Sequence, residues 1–339
     1  MTIHEVAEKA GVSIKTVSRV INHEANVRAD TKERVLAVIA ELNYRPNPSA
    51  RHLAGTHGYN IALLYDNPSA SYLMDLQRGA LESCQVEGFH LILQPCGLKD
   101  QDLEGTINNL IVESRVPGLI LSPPLSDAAG LIEKLEGWGV LHARIAPIDV
   151  ARAGPYVAVD DRGAAFELIR HLIDQGHRRI GIIKGHPDHG AGHWRYEGYL
   201  TAMRQYGLPI DEDLIVQGYF SFESGLEAGR KLLSLPDRPT AIFAANDDMA
   251  AAVLHVAHDM AIEVPGQLSV AGFDDTPLSR HVWPPLTTVR QPVREMARQA
   301  TMQLIDRIRK RGQSQPAGPS AMYCSLVIRD STGAAPAAR

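Results

Sequence analysis

Apolar positions recur along this chain with two different periods. In the head the period is helical: Ile3, Val6, Ala7 and Ala10 form one stripe, Val17, Val20 and Ile21 a second, and Val35, Ile39 and Leu42 a third. This spacing predicts three short amphipathic helices. Their ends are marked as well. Thr2 and Glu5 have the spacing of a capping box, and Asp30 and Glu33 repeat it. Gly11 is placed to stop the first helix, and Ser13 to cap a second over 14–22. Two helices joined by a tight glycine-containing turn read as a helix-turn-helix, whose second helix is the one expected in a DNA major groove.

Beyond residue 58 the pattern changes. Short runs rich in Val and Ile occur at 61–65, 90–94, 118–121, 140–143, 157–159, 180–183, 241–244 and 268–271. Amphipathic stretches of helical length separate most of them, as at 73–87, 163–175, 196–205 and 247–261, and a helix over 290–311 precedes a last strand at 323–328. Such alternation predicts parallel sheets covered by helices on both faces, and its extent predicts two lobes rather than one sheet. Open parallel sheets bind ligands beyond the carboxyl ends of their strands. The residues there are Asp66-Asn67, Ser122-Pro123-Pro124, Asp160-Asp161, Asn246-Asp247 and Asp274-Asp275. Each taken singly is explained by turn formation or helix capping. Five such strand ends facing one cleft point instead to a ligand site.

Composition narrows the classes. With 339 residues, 45% hydrophobic and 22% charged, the chain is globular rather than fibrous or disordered. The net charge of −5 is unevenly spread: residues 1–57 hold eight Lys/Arg against six Asp/Glu, a mildly basic head on an acidic body. That asymmetry suits nucleic-acid binding by the head alone. Cys84, Cys96 and Cys324 form no Cys-x-x-Cys pair, which argues against a disulfide framework or a structural zinc site. No apolar run is long enough to cross a bilayer, and the first residues do not read as a signal peptide, so a cytoplasmic setting with no membrane partner is expected. His186, His189 and His193 have metal-like spacing, but they lie in a glycine-rich loop with Asp188 as the one further ligand. Neither a metal nor another cofactor is expected. The paired Asp residues do not normally share one reacting atom, and no nucleophile-elbow, Walker, zincin or dinucleotide-binding motif occurs, so no catalytic residue is assigned.

The run Ile3-His4-Glu5-Val6-Ala7-Glu8-Lys9-Ala10-Gly11-Val12-Ser13-Ile14-Lys15-Thr16-Val17-Ser18-Arg19-Val20-Ile21-Asn22, followed by Leu42-Asn43-Tyr44-Arg45-Pro46, closely resembles the head of the LacI/GalR (lactose-repressor) family. The resemblance runs without a gap over the head and extends to essentially the whole chain. It implies a helix-turn-helix domain over 1–45 and a hinge over 46–58 that becomes helical on DNA. Leu53 matches the leucine that the family wedges into the minor groove, although packing of head on body is an alternative. The body, 59–330, looks like the two-lobed periplasmic-binding-protein fold: lobe 1 about 59–158 and 291–321, lobe 2 about 159–289 and 322–330, with crossings near 158–160, 288–291 and 320–323. The small residues and prolines of 331–339 read as a disordered tail.

Site residues follow position by position. The DNA-facing set is Ser13, Ile14, Lys15, Thr16, Ser18, Arg19, Asn22 and Leu53. Lys15 and Arg19 are long enough for guanine edges, and Thr16, Ser18 and Asn22 suit phosphates. The resemblance puts Arg195, Asn246, Asp274, Ser122, Gln291 and Phe220 in the effector cleft, and the strand-end rule adds Asn67 and Asp160. Asp274 is expected to stay ionised. An interlobe salt bridge for Arg195 and plain core for Phe220 are the alternatives. The chain departs from the family at Ile14-Lys15, which sets the operator, and at 66–72, which puts effector contacts from that loop in doubt. The expectation is a ligand-controlled regulator, a repressor in its simplest form, acting as a homodimer on a pseudo-palindromic operator under a sugar-like effector. The rivals, a solute-binding protein of a transport system and an enzyme on the same scaffold, are disfavoured by the head, the start of the chain and the missing catalytic motifs.

Overall fold

A computed structural model describes residues 2–21, 27–42, 44, 59–152, 154–310 and 320–337. They fall into two compact units, within Met1–Gly58 and Tyr59–Arg339.

The first unit is three helices: α1 (Ile3–Ala10), α2 (Ile14–Ile21) and α3 (Ala29–Glu41). The capping box at α1 is present, with the Thr2 hydroxyl accepting from the Glu5 amide and the Glu5 carboxylate accepting from the Thr2 amide. Gly11 ends α1 with φ of 63°, a left-handed backbone that favours glycine. At α3 the capping expectation fails. The helix starts at Ala29 with Arg28 as its cap and no side-chain cap bond, so Asp30 sits inside the first turn. There its charge still favours the positive helix end. Val6, Val17, Val20, Val35 and Val38 close a small core with Tyr44. A Lys9–Glu41 ion pair at 2.6 Å joins α1 to α3.

The second unit is α/β. Its elements in chain order are β1 (Asn60–Tyr65), α4 (Ala70–Glu87), β2 (His90–Pro95), α5 (Leu103–Val112), β3 (Gly118–Leu121), α6 (Ala129–Gly137), β4 (Leu141–Ile145) and β5 (Tyr156–Val159). Then come α7 (Asp161–Asp174), β6 (Ile180–Lys184), α8 (Gly190–Gln205), β7 (Ile215–Gln217), α9 (Phe222–Leu233), β8 (Ala241–Ala244), α10 (Asp247–Asp259) and β9 (Ser269–Ala271). The chain continues through α11 (Leu278–His281), β10 (Thr288–Arg290), α12 (Val293–Arg309), β11 (Ser320–Met322) and β12 (Ser325–Val327).

Two parallel sheets result, in the orders β11-β5-β4-β3-β1-β2 and β7-β6-β8-β9. Their central strands are buried along their whole length, as parallel strands covered on both faces must be. Each sheet accordingly has a core on each side. The chain passes between the lobes after β5, after β10 and after β11, and β10 pairs antiparallel with β12 where two of these segments run together. The strand ends therefore meet at one cleft.

The end of the chain corrects an expectation. Ser331 and Thr332 are buried, the Ser331 hydroxyl donates to Val270 O at 2.6 Å, and the Ala335 amide donates to Gln175 O at 2.9 Å. Residues 331–337 are thus packed onto lobe 2 rather than disordered. Small side chains let this backbone lie close to the sheet, so the composition that suggested disorder serves packing. Among the described residues no helix is long and apolar enough to cross a membrane.

Candidate functional site

In the head, α2 buries Val17 and Val20 and presents its other face outward. Ile14 and Lys15 are exposed at its first turn. Ser13 caps the helix, accepting from the Thr16 amide at 3.2 Å, and the two hydroxyls lie 2.9 Å apart. Ser18 and Arg19 are partly exposed on the next turn. Asn22 and Leu53 lie outside the described residues.

In the body, one cavity at the cleft is lined by Asn67, Arg195, Phe220, Asn246, Asp274 and Gln291. Six of the eight cleft residues expected from the sequence thus converge. Ser122 does not join them: it is buried and donates to Leu64 O at 3.1 Å, and its neighbour Pro123 lines the cavity instead. Asp160 also stays out, capping α7 through the Gly163 amide at 2.8 Å and lining a second cavity. Ser69, Tyr72 and His189 line the inner cavity without having been foreseen. Tyr72 and Ser69 belong to the departing stretch at 66–72. His189 was read for metal spacing, but its ring stands 5.0 Å from that of His186, and His193 faces Trp194.

Arg195 is the hub. Its guanidinium donates to Asp161 at 2.8 Å, to Ala245 O at 2.6 Å and to Asp274 at 3.3 Å, and lies 3.7 Å from the centre of the Phe273 ring. Both carboxylate partners belong to lobe 2, so the pair is not an interlobe bridge. Burial alone would lower the Arg195 pKa, and the two carboxylates more than offset it. One guanidinium cannot fully neutralise two carboxylates. Burial, opposed by Arg195 and reinforced by Asp161, raises Asp274 to about 7. The expectation of a permanently ionised Asp274 is corrected: it titrates near neutrality. His189 is pushed down to about 4, chiefly by burial, and is neutral there.

The remaining walls are fixed by the fold. Asn246 caps α10 by accepting from the Met249 amide at 3.0 Å, and its amide donates to Phe220 O at 2.9 Å. Phe220 belongs to the lobe 2 core and also lines the cavity, so both readings of it apply. Gln291 is buried at the second crossing with its Oε1 lacking any protein partner. Three lining residues, Ala146, Phe220 and Asp274, hold left-handed backbone with φ of 46°, 62° and 107°. Such non-glycine conformations cost about 1–3 kcal/mol each and gather at ligand sites. The second Asp of each doublet works inward: Asp247 accepts from Thr276 and Thr288, and Asp275 from Arg290 and Arg329.

Comparison with known proteins agrees with this geometry. Residues 2–47 match the model for bacterial regulatory proteins of the lacI family, and residues 169–332 that for a periplasmic binding protein-like domain. The chain is 33% identical over 338 residues to the transcriptional repressor CytR of Escherichia coli K12, covering 99% of this chain and 97% of that one. It is 36% identical over 295 residues to catabolite control protein A of Priestia megaterium, covering 86% and 88%. Among solved structures, the lac repressor dimer bound to operator and the anti-inducer ONPF superposes with a TM-score of 0.79 at 26% identity, covering 98% and 99%. A complex of the transcriptional regulator CelR with cellobiose gives 0.73 at 31% identity, again covering 98% and 99%. The helix-turn-helix head and the two-lobed body define a DNA-binding transcriptional regulator rather than an enzyme. The chain belongs to the LacI family.

Proposed function

We propose that this regulator is a cytoplasmic homodimeric repressor that binds a pseudo-palindromic operator and is controlled by a small neutral polyhydroxyl effector in the inner cavity. The observation that carries the effector reading is the buried, unpartnered Oε1 of Gln291 beside Asn246 and Asp274. A buried acceptor without a partner is costly, and a ligand hydroxyl satisfies it. Charge sets the class. Among the described residues Arg195 is the one strong cation lining the cavity, and Asp161 and Asp274 already engage it, so a phosphate would meet net negative charge. A sugar instead offers hydroxyl donors to carboxyl and amide oxygens and an apolar ring face to Phe220. Dimerisation is supported by the edge strand β2, where Leu93 is exposed, together with exposed Leu81 and Val86 on α4. In the operator role, α2 enters the major groove and Leu53 wedges the minor groove.

A thermal-shift screen against neutral monosaccharides and their phosphates tests the effector class, because a ligand that binds only the native state raises the melting temperature. A neutral sugar should raise it and the matching phosphate should not. Stabilisation by phosphates alone would reverse the assignment.

A further inference from the structure

Asp274 and Asp275 are consecutive, and both hold left-handed backbone, with φ of 107° and 52°. Non-glycine residues keep such a conformation only where their surroundings over-determine it. Here the surroundings are the roots of the lobe crossings. Asp274 takes the Arg195 guanidinium at 3.3 Å, and Arg195 donates at 2.8 Å to Asp161, which follows β5 and the first crossing. Asp275 has a separate set of partners. Its carboxylate is almost wholly buried and accepts from Arg290 at 2.7 Å and from Arg329. Arg290 is the last residue of β10, where the second crossing begins, and Arg329 lies just past β12, the strand that follows the third. β10 and β12 pair with each other, and the backbone of the Asp274-Asp275 corner is sewn to β10. The Asp274 amide donates to Val289 O at 2.8 Å, and the Asp275 amide to the Thr288 hydroxyl at 3.4 Å. One dipeptide of lobe 2 is thus tied by charge to the lobe 2 end of all three crossings.

The two carboxyls differ in kind. Burial raises Asp275, and the hydrogen bonds from Arg329 and Arg290 more than reverse that, so it lies below its ordinary range and stays ionised. A third guanidinium, that of Arg280 on α11, approaches it at 3.4 Å. Arg280 and Arg290 are both more than half exposed, so either can be truncated without opening a cavity. Charge-assisted bonds to one buried anion are the strong kind. We propose that Asp275 is a positioning residue for DNA binding: by holding Arg290 and Arg329 it fixes the β10–β12 ribbon, and the ribbon fixes the angle between the lobes. In the chain the head precedes β1, the first strand of lobe 1, so the lobe angle is what the body passes on to it. This rests on the proposed coupling of the body to the operator.

The test takes two readouts on the intact chain without effector. One is operator affinity, by fluorescence anisotropy on a labelled duplex selected from genomic fragments. The other is amide hydrogen exchange of 286–291 and 324–330, by mass spectrometry. Asp275→Asn and Arg290→Ala should each speed exchange in both segments. They should also change operator affinity at least fivefold, since loosening the joint populates lobe angles that differ in affinity. Arg290→Lys should restore part of the parent affinity. Arg280→Ala removes a guanidinium from the same carboxylate but belongs to α11, and should match the parent in both readouts. Phe243→Leu, in the lobe 2 core, should lower the melting temperature and leave operator affinity unchanged, which separates positioning from a general loss of stability. Equal effects of Arg280→Ala and Arg290→Ala would overturn the proposal, because the tie to the crossing would then not be what matters. Unchanged exchange and unchanged affinity in Asp275→Asn would overturn the joint and leave the coupling of body to operator standing. Faster exchange with unchanged affinity would overturn that coupling and this proposal together.

Discussion

Asp274 carries the most testable chemistry of the site. Its ordinary carboxyl pKa of 3.8 rises to about 7 in the folded chain, mainly through burial, with Arg195 opposing and Asp161 and Asp248 adding to the rise. Between these two values the folded protein keeps a proton that the unfolded chain has lost. Stability contributed by this group is therefore complete below pH 3.8 and is lost as pH rises through about 7. Asp274→Asn escapes that loss. It should melt above the parent at pH 8, with the gap closing toward pH 4, as followed by circular dichroism; a gap independent of pH would contradict the titration. Arg195→Ala is a different experiment. It leaves Asp161 and Asp274 buried without their cation, which costs about 3–5 kcal/mol, so a large fall in melting temperature is expected even without effector. The structural role of Arg195 was not legible in the sequence because its partners, Asp161 and Ala245 O, come from distant points of the chain, and local spacing says nothing about them. The strand-end rule found Asn246 and Asp274 because their location follows from topology. It could not separate Asp160, which faces the outer cavity, from residues of the inner one.

Among the elements, those with a local periodic or apolar signal were readable, down to the short strands β3, β8 and β9, and some of the shortest were not. The helix-turn-helix was legible because the Thr2–Glu5 box, Gly11 and Ser13 are local signals whose partners lie within one turn. Asp30 and Glu33 showed the same spacing, yet the backbone at Arg28 opened α3 one residue before Asp30 and overruled it. Strands β7, β10 and β11 span three residues each, too few to display a period; they exist because a neighbouring strand pairs with them. The exposed first turn of α2 has its own consequence. Lys15 reaches outward there, and Lys15→Ala should weaken binding to the cognate operator by about 1–3 kcal/mol and relax preference at one base pair. Binding-site selection before and after the substitution measures this. An equal loss on random DNA would assign Lys15 to a phosphate.

At the scale of the whole molecule, three crossings join the lobes while one cavity draws residues from both. Across the cleft, the Ser69 hydroxyl donates to Asp248 at 2.7 Å, and Lys99 pairs with Asp188 at 3.0 Å. A ligand that favours one lobe angle over another shifts that equilibrium only by its difference in affinity for the two. The hinge is the proposed route to DNA, and Leu53→Ala should reduce operator bending in a gel-shift assay while effector affinity stays unchanged; unchanged bending would leave Leu53 a packing residue. On the proposed function, the cavity and the operator are energetically coupled. The direct measurement is fluorescence anisotropy of a labelled operator duplex, obtained by selection from genomic fragments and titrated with the chain at zero and saturating effector. The operator affinity of the parent chain should change at least tenfold. With Gln291→Ala, operator binding without effector should be retained and the effector should no longer change it at the same concentration. Operator affinity that is identical with and without a demonstrably bound effector would contradict that coupling.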